Sequence, residues 1–178
     1  MTDGPPAQTA TIDFQYERSY RVSVEDGDPD SWIAVAIAIG DTYIWGGPNS
    51  GVTGFACGIV LNLLETVDAA LLNERYVVEF EWGPSWMVVE PRNDASVTVS
   101  KASTLKGARN PDERLEVDTY RSVTKRAWIE EVVDTAREFH GTILEMNPDL
   151  RTRGVMQQLR REIRRVERLS AADDNTVN

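Results

Sequence analysis

Hydrophobic residues recur along this chain with two different periods, and that change of period limits the fold more than any other feature. Residues 33–39 alternate between branched apolar side chains and alanine, and residues 75–100 alternate again in three pieces. A period of two is typical of β-strands. Residues 52–71 and 128–143 instead repeat apolar side chains every three to four positions, as amphipathic helices do. The chain therefore predicts a mixed α and β fold.

The alternating stretches predict an antiparallel sheet. Residues 12–24 carry apolar or aromatic side chains at even positions, which indicates a strand or a hairpin. Residues 33–39 predict a second strand, and another element can approach its alanine face closely. The pieces RYVVEFEW, WMVVEP and SVTVS predict a three-stranded meander, and LEVDTY predicts a short strand after a polar loop.

Three helices are predicted between and after these strands. The first covers residues 52–71, and the second begins at Thr124, a favourable N-cap, and ends before Pro148. Pro148 opens the last helix, which carries a narrow apolar seam. The seam consists of Met156, Leu159, Ile163 and Val166. The predicted fold class is α+β: an antiparallel sheet of about five or six strands, one inserted long helix, and a C-terminal helical hairpin packed on the sheet.

The length of 178 residues suits one domain with a substantial core. We predict a flexible N-terminus over residues 1–10 and the α+β domain over residues 11–146. Residues 147–169 form a basic helix packed on that domain, and residues 170–178 form a disordered tail.

Composition places the protein among ordinary globular proteins, with 41% hydrophobic and 27% charged residues. No apolar run reaches the length needed to cross a bilayer, and the N-terminal stretch MTDGPPAQTA lacks the features of a secretory signal. The single cysteine, Cys57, permits no internal disulfide. These observations predict a cytoplasmic protein without a membrane association.

The net charge of −10 comes from 19 basic and 29 acidic residues. Residues 151–178 hold seven arginines and four acids, a charge of +3, so residues 1–150 carry −13. An acidic surface repels nucleic acid and anionic membranes. It suits either a basic protein partner or a high-salt environment, and the sequence leaves both open.

A glycine-rich stretch, GGPNSGVT at residues 46–53, resembles a phosphate-binding P-loop in its glycines and threonine. The position of the essential lysine is occupied by Val52, an apolar residue of the predicted helical stripe. We therefore expect no nucleotide and no other cofactor here. The prediction is a strand-to-helix turn in which Asn49, Ser50 or Thr53 caps the helix.

The groups used in nucleophilic or zinc catalysis are scarce. His140 is the only histidine, and Cys57 lies between small residues of a predicted helix, so we interpret both as structural. We predict no catalytic residue and no metal ligand. Glu79 and Glu81 share a strand face. A three-residue loop, GPS, would pair Trp82 with Trp86 and leave Glu90 on the opposite face, whereas an even-numbered loop would place Glu79 across from Glu90. Solvated strand carboxylates and a small metal-dependent enzyme both remain possible readings of these glutamates.

Two sets of residues are candidates for binding. The first lies on the predicted meander and consists of Glu79, Glu81, Trp82 and Trp86. The second lies on the last helix and consists of Arg160, Arg161 and Arg164. Arginine-rich helices can bind phosphates, which is one hypothesis for this helix. The acidic remainder of the chain favours a helix docked on its own domain or on a second copy, which would make a homodimer.

The stretches VEFEWGP, VVEP, VTVS, WIEEVVDTAREF and NPDL, between residues 76 and 150, resemble uncharacterised small α+β proteins. Some proteins of that kind occur as immunity partners of secreted toxins. The resemblance implies a sheet with C-terminal helices and a non-catalytic binding role. We therefore predict a non-enzymatic interaction or inhibitor module with an acidic surface. The alternatives are a metal-dependent enzyme using strand carboxylates and nucleic-acid binding through the last helix.

Overall fold

The computed structural model describes residues 9–79 and 85–174, with the side chains of Glu79 and Asp174 excepted. These residues form eight β-strands and five α-helices, which confirms the predicted α+β class. The strands are β1 (Ala10–Gln15), β2 (Trp32–Ile39), β3 (Thr42–Trp45), β4 (Val52–Phe55), β5 (Tyr76–Glu79), β6 (Trp86–Asn93), β7 (Ser96–Ala102) and β8 (Tyr120–Thr124). The helices are α1 (Arg18–Glu25), α2 (Ala56–Leu71), α3 (Leu105–Arg109), α4 (Lys125–Met146) and α5 (Gly154–Asp174).

The strands form two antiparallel sheets of four strands each over the described ranges, where the sequence predicted a single sheet of about five or six strands. In the first sheet β2 is central, with β1 along one edge. Its other edge is shared by β3 and β4, which pair with different parts of β2. The second sheet has the order β5-β6-β7-β8. The meander predicted from residues 75–100 is confirmed in this sheet.

Both sheets contribute to one hydrophobic core. The branched side chains of β2 face that core, whereas the alanines of β2 lie on the opposite face. The apolar stripe predicted for α4, including Val132 and Phe139, is buried in the core. The indole Nε1 of Trp128 donates a hydrogen bond to Oγ1 of Thr66, 3.0 Å away, which links α4 to α2 inside the core.

Residues 12–24 do not form one strand or hairpin, because the second half is helix α1. The aromatic and apolar residues at positions 16, 20 and 24 are four apart, a spacing that suits a helix as well as a strand. Tyr20 and Val24 are buried on one face of α1, whereas Val22 is exposed. Alternation alone could not separate the two structures here.

The helix predicted from Val52 begins four residues later, at Ala56. Residues 52–55 are strand β4, and Val52 pairs with Val35 on the free edge of β2. The strand predicted at residues 115–120 is also displaced, because β8 begins at Tyr120. In both places an available sheet edge determines where the strand lies, and the local pattern does not contain that information.

Helices α4 and α5 form the predicted helical hairpin. Thr124 caps α4 through its side chain, which accepts a hydrogen bond from the backbone of Ala127. Pro148 opens a 3₁₀ turn, Pro148–Thr152, and α5 follows from Gly154. Helix α4 contacts both sheets, whereas α5 packs mainly on α2 and α4. Helix α5 also includes residues 170–174, which the sequence assigned to the tail. None of the helices in the described ranges has the length and apolar composition needed to span a membrane.

Candidate functional site

The glycine-rich stretch connects β3 to β4, so it joins two strands of one sheet edge. A P-loop instead leads directly into a helix whose backbone N–H groups contact phosphate. Gly46 has a positive φ of 68°, and Gly47 and Ser50 form an isolated bridge that closes the turn. A side chain at Gly51 would meet the backbone nitrogen of Val35 at 2.7 Å. The predicted strand-to-helix turn is therefore wrong, because the stretch joins two strands and packs closely on β2.

The N-terminus of α2 is occupied by a carboxylate from another loop. None of Asn49, Ser50 and Thr53 caps this helix, because it begins beyond β4. Oδ1 of Asp30 accepts hydrogen bonds from the backbone N–H groups of Cys57 at 2.8 Å and Gly58 at 3.4 Å. Burial raises the pKa of Asp30, and these two hydrogen bonds oppose the shift. The protein therefore satisfies this helix end itself.

A groove lies on the alanine face of the first sheet, and we call it the alanine groove. Its cavity measures about 480 Å³. It is lined by Thr11, Ile12, Asp13, Ala36, Ala38, Gly40, Asp41, Tyr43, Gly47 and Pro48. These residues come from β1, β2, β3, the turn between β2 and β3, and the glycine-rich turn. The site is thus assembled from three consecutive strands and two connections.

Strand register explains the depth of the alanine groove. Thr11 and Tyr43 both pair with Ala38, one from each side, and Asp13 pairs with Ala36. Side chains at paired positions point to the same face of a sheet. The two alanines are nearly buried between longer neighbours. A floor of methyl groups between longer side chains leaves a depression along β2.

The alanine groove is electrically negative. The side chains of Asp13 and Asp41 are exposed at its rim, and Tyr43 exposes 42% of its surface beside them. No lysine or arginine is among the described residues that line the groove. Carboxylates without a neighbouring cation attract a positively charged ligand, and an aromatic ring provides a favourable surface for that ligand.

Of the predicted binding residues of the meander, the structure describes Trp86 and the backbone of Glu79, both in the second sheet. The backbone of Glu79 pairs with Trp86, and Trp86 is half-buried beside Val88. The side chain of Glu79 and the residues Glu81 and Trp82 lie outside the described residues. The observed register pairs Glu79 with Trp86 and matches neither of the two registers considered from the sequence.

Glu90 has cationic partners, and it does not pair with Glu79 as an even-numbered loop would require, because Glu79 pairs with Trp86. The carboxylate of Glu90 lies 2.8 Å from Nε of Arg75 and 2.8 Å from Nη2 of Arg114. The Arg114 contact is ionic, because its Nη2 does not meet hydrogen-bond geometry. Nε of Arg114 donates to the carbonyl of Gly107 at 3.2 Å, and Nη1 of Arg75 donates to the carbonyl of Arg109. This ionic cluster attaches residues 103–118 to the second sheet.

The sequence did not predict this cluster, because Arg114 lies in a stretch whose composition is typical of a polar loop. The available signal was Glu90 itself, a charged residue that follows the apolar run WMVV. A carboxylate in such a position is rarely buried without a cation. Glu90 exposes only 8% of its surface, so the cluster is part of the structure of the sheet.

The predicted arginines of the last helix are exposed on the side of α5 that faces away from α2 and α4. Together with Arg168 they form a surface that we call the arginine face: Arg160, Arg161, Arg164 and Arg168. No carboxylate of the described ranges lies within ion-pair distance of these four guanidinium groups. The structure does not bring this face together with Trp86, which lies on the second sheet.

A neighbouring arginine, Arg165, attaches α5 to the acidic domain. Its guanidinium binds the carboxylate of Asp68 through two hydrogen bonds of 2.8 and 2.6 Å. The pKa of Arg165 is raised by the hydrogen bonds to Asp68 and then to Glu162. Arg137 of α4 makes a similar contact with Glu167 of α5. The docking of this helix on its own domain thus uses Arg165 and leaves the arginine face in solvent.

The histidine and the cysteine lie within helices α4 and α2. Cys57 is completely buried, its thiol donates a hydrogen bond to the carbonyl of Pro29 at 3.5 Å, and burial raises its pKa. His140 is half-buried in α4, where burial lowers its pKa. Within residues 9–79 and 85–174 no three His, Cys, Asp or Glu side chains converge as a metal site would require. A metal site involving Glu79 and Glu81 stays a prediction.

Comparisons of the chain with models of protein families, with curated proteins and with solved structures found no match. The resemblance to toxin-immunity proteins therefore stays a prediction. We infer function from two surfaces of the described residues, the alanine groove and the arginine face.

Proposed function

We propose that the protein is a non-enzymatic interaction or inhibitor module, of the immunity type, that binds a basic protein partner in the alanine groove. The observation that carries this proposal is a cavity of about 480 Å³ whose rim holds two carboxylates and an aromatic ring beside a methyl-lined floor. Cavities of this size accept a small molecule or a protruding side chain.

Arginine is the side chain whose chemistry matches the groove best. Its planar guanidinium forms two parallel hydrogen bonds with a carboxylate and stacks on an aromatic ring. Asp13, Asp41 and Tyr43 present those two partners around one depression. The apolar stem of arginine would lie along the methyl groups of Ala36 and Ala38.

The charge of the chain supports a basic partner over a neutral one. Residues 1–150 carry −13, so the field around the groove attracts a cationic protein before contact. Charged groups at the rim of an interface mainly accelerate association, and salt screens that acceleration. A partner bound through this groove is therefore expected to dissociate as salt increases.

Binding to the groove can be tested with a defined peptide. We expect acetyl-Arg-Gly-Arg-amide to shift the NMR amide signals of Gly40, Asp41 and Gly47, and the Glu-Gly-Glu peptide to leave them unchanged. Asp13→Asn with Asp41→Asn should weaken binding about tenfold, because the carboxylates are lost. Ala38→Leu should also weaken binding by filling the floor without a change of charge.

A matched control distinguishes binding in the groove from a general effect of the protein's negative charge. Glu116→Gln with Glu145→Gln makes the same change of charge at exposed positions outside the groove. We expect this control to bind the peptide as the wild type does. Equal weakening by both double variants, or no shift of any groove signal, would contradict the proposal and favour a surface adapted to high salt. In that case stability would rise with salt instead.

The partner can be identified by affinity capture from native lysate with the wild type and with Asp13→Asn/Asp41→Asn. The expected partner is basic, is retained by the wild type and the Glu116/Glu145 control, and is released by salt. Binding of the purified partner must then show the same dependence on Asp13 and Asp41. A partner that binds the groove variant equally well would place the interaction elsewhere.

A further inference from the structure

We propose that the arginine face of a second copy of this chain occupies the alanine groove, so that copies associate head to tail and compete with the basic partner. This inference rests on the proposed function, since it assigns the groove a second cationic occupant. It makes self-association a form of regulation, because a groove occupied by another copy is closed to the partner.

The arginine face has the chemistry that the groove requires. Arg161, Arg164 and Arg168 follow each other at spacings of three and four residues, which places them on one side of α5. They span roughly 10 Å along the helix axis, at 1.5 Å per residue. A shallow cavity of about 540 Å³ lies among these three arginines and is also lined by Arg165, Glu162 and Glu167. The row can therefore present one guanidinium to the groove while a neighbour contacts its rim.

The two surfaces cannot satisfy each other within one chain. The alanine groove lies on the face of the first sheet opposite to the core, as the alternation of β2 shows. Helices α2 and α4 bury their apolar stripes in the core, and α5 packs mainly on those two helices. The arginine face points away from α2 and α4 and is thus separated from the groove by helices and sheet. Only another copy can bring the two together.

Two features of the chain favour a second copy over nucleic acid as the partner of the arginine face. Residues 154–174 contain no aromatic residue on which a base could stack, and the whole chain carries −10. That charge repels a phosphate backbone along its length. It also repels another copy, but at physiological salt the Debye length is about 8 Å, so distant charges are screened while direct ion pairs persist.

A contact between two different surfaces has a recognisable consequence. Unlike an isologous dimer, a head-to-tail contact leaves one groove and one arginine face free after each addition. The average mass should therefore keep increasing with protein concentration. This behaviour differs from the closed homodimer through α5 that the sequence suggested.

Two charge variants test the proposal by sedimentation at 0.15 M salt. Asp13→Asn with Asp41→Asn removes the charge of the groove and keeps the arginine face. Arg161→Gln with Arg164→Gln and Arg168→Gln removes the charge of the arginine face and keeps the groove. We expect the wild type to form larger species as concentration rises, and each variant alone to stay monomeric. An equimolar mixture of the two should form a one-to-one complex and nothing larger, because each variant retains a single complementary surface.

Several results would overturn the proposal. They are a wild type that stays monomeric at every concentration, a groove variant that still self-associates, and a mixture that forms no complex. Duplex DNA bound by the wild type and lost in the arginine variant, without self-association, would identify nucleic acid as the occupant. Circular dichroism checks that each variant folds, and Arg161→Ala/Arg164→Ala/Arg168→Ala replaces the glutamine variant if that one does not.

The arginine variant also separates this inference from the proposed function. It cannot self-associate through the arginine face, but its groove is intact and should bind the Arg-Gly-Arg peptide. Peptide binding without a mixed complex would leave the proposed function in place and remove the inference. A mixed complex without peptide binding would show self-association and contradict the assigned role of the groove.

Discussion

The two sheets share one core, yet they differ on the face that points away from it. On the second sheet this face carries Val77, Trp86 and Val88, and residues 103–118 cover it. On the first sheet the corresponding face carries Ala36 and Ala38, and the described residues that line the groove over them belong to strands and turns. The glycine-rich turn lies close to this face.

This difference shows how carboxylate side chains acquire different roles on the two faces. Glu90 lies under the covering segment between two guanidinium groups, so its charge contributes to structure. Asp13 and Asp41 lie on the open face without a cation among the lining residues, so their charge is available to a partner. A face of large apolar side chains needs a cover, whereas a face of alanine, threonine and aspartate is stable in water.

The largest effect is expected where the covering segment is attached. Glu90→Gln should reduce the free energy of unfolding by about 3 kcal/mol, because two arginines would lose their buried carboxylate. Urea unfolding measures this loss. The matched control, Glu113→Gln, removes the exposed pair with Lys106 in the same segment and should cost less than about 0.5 kcal/mol. Equal and small costs would show that ionic contacts do not hold the cover.

The next effect concerns the turn that partly covers the first sheet. Gly51→Ala should destabilise the protein by about 2 kcal/mol, because the new Cβ would lie 2.7 Å from the backbone nitrogen of Val35. Gly141→Ala, in the middle of α4 with nothing within 4 Å of the new Cβ, should instead stabilise by about 0.5 to 1 kcal/mol. Thermal unfolding measures the change in stability of both variants. A Gly51→Ala variant as stable as the wild type would mean that the turn is not closely packed on β2.

A smaller, pH-dependent effect is expected at the edge of the first sheet. Oε1 of Glu131 accepts a hydrogen bond of 2.6 Å from the backbone of Ile12 and so ties β1 to α4. Burial raises the pKa of Glu131, and this hydrogen bond opposes the shift. The folded state therefore binds the proton more tightly than the unfolded state, whose pKa is about 4.3.

Wild-type stability relative to Glu131→Gln should accordingly be highest below that unfolded pKa. It should fall as pH rises through the raised pKa of the folded state, because the buried carboxylate must then ionise. Urea unfolding at a series of pH values gives the difference between the two proteins directly. A difference that grows with pH would mean that the hydrogen bond from Ile12 outweighs burial.

The smallest effect on stability is expected at the open face. Asp13→Asn with Asp41→Asn should change the free energy of unfolding by less than about 0.5 kcal/mol, since both side chains are exposed. Calorimetry on the variant used in the peptide experiment provides the value. A large loss would show that these carboxylates serve the fold, and it would remove the main support for the groove as a binding site.

The sequence was most informative where one element's own pattern decides its structure. The helical stripe around Phe139 and the seam around Leu159 are buried as predicted, and Thr124 caps its helix. The sequence was least informative at residues 52–55, which continue a helical pattern but form a strand that pairs with β2. The pattern of these residues is compatible with both structures, and the free edge of β2 selects one.

The candidate site was visible only in part. Alternation identified the alanine face of β2 and the chance of a close approach to it. Asp13, Asp41 and Tyr43 were not predicted as site residues, because they come from separate segments and each is an ordinary polar or aromatic residue in its own segment. Their common position depends on the pairing of Thr11 and Tyr43 with the same alanine. That register is a long-range property.

The sequence by itself determined which side chains of α2, α4, α5 and the long strands are buried, because the 3.6 and 2 residue periods follow from local backbone geometry. Only the tertiary structure decided that the strands divide into two sheets, that β3 and β4 share one edge of β2, and that one sheet face stays open. These outcomes depend on competition among distant edges and faces for partners. The free energy of each pairing depends on two segments that are distant in sequence, so the pattern of one segment alone does not predict the outcome.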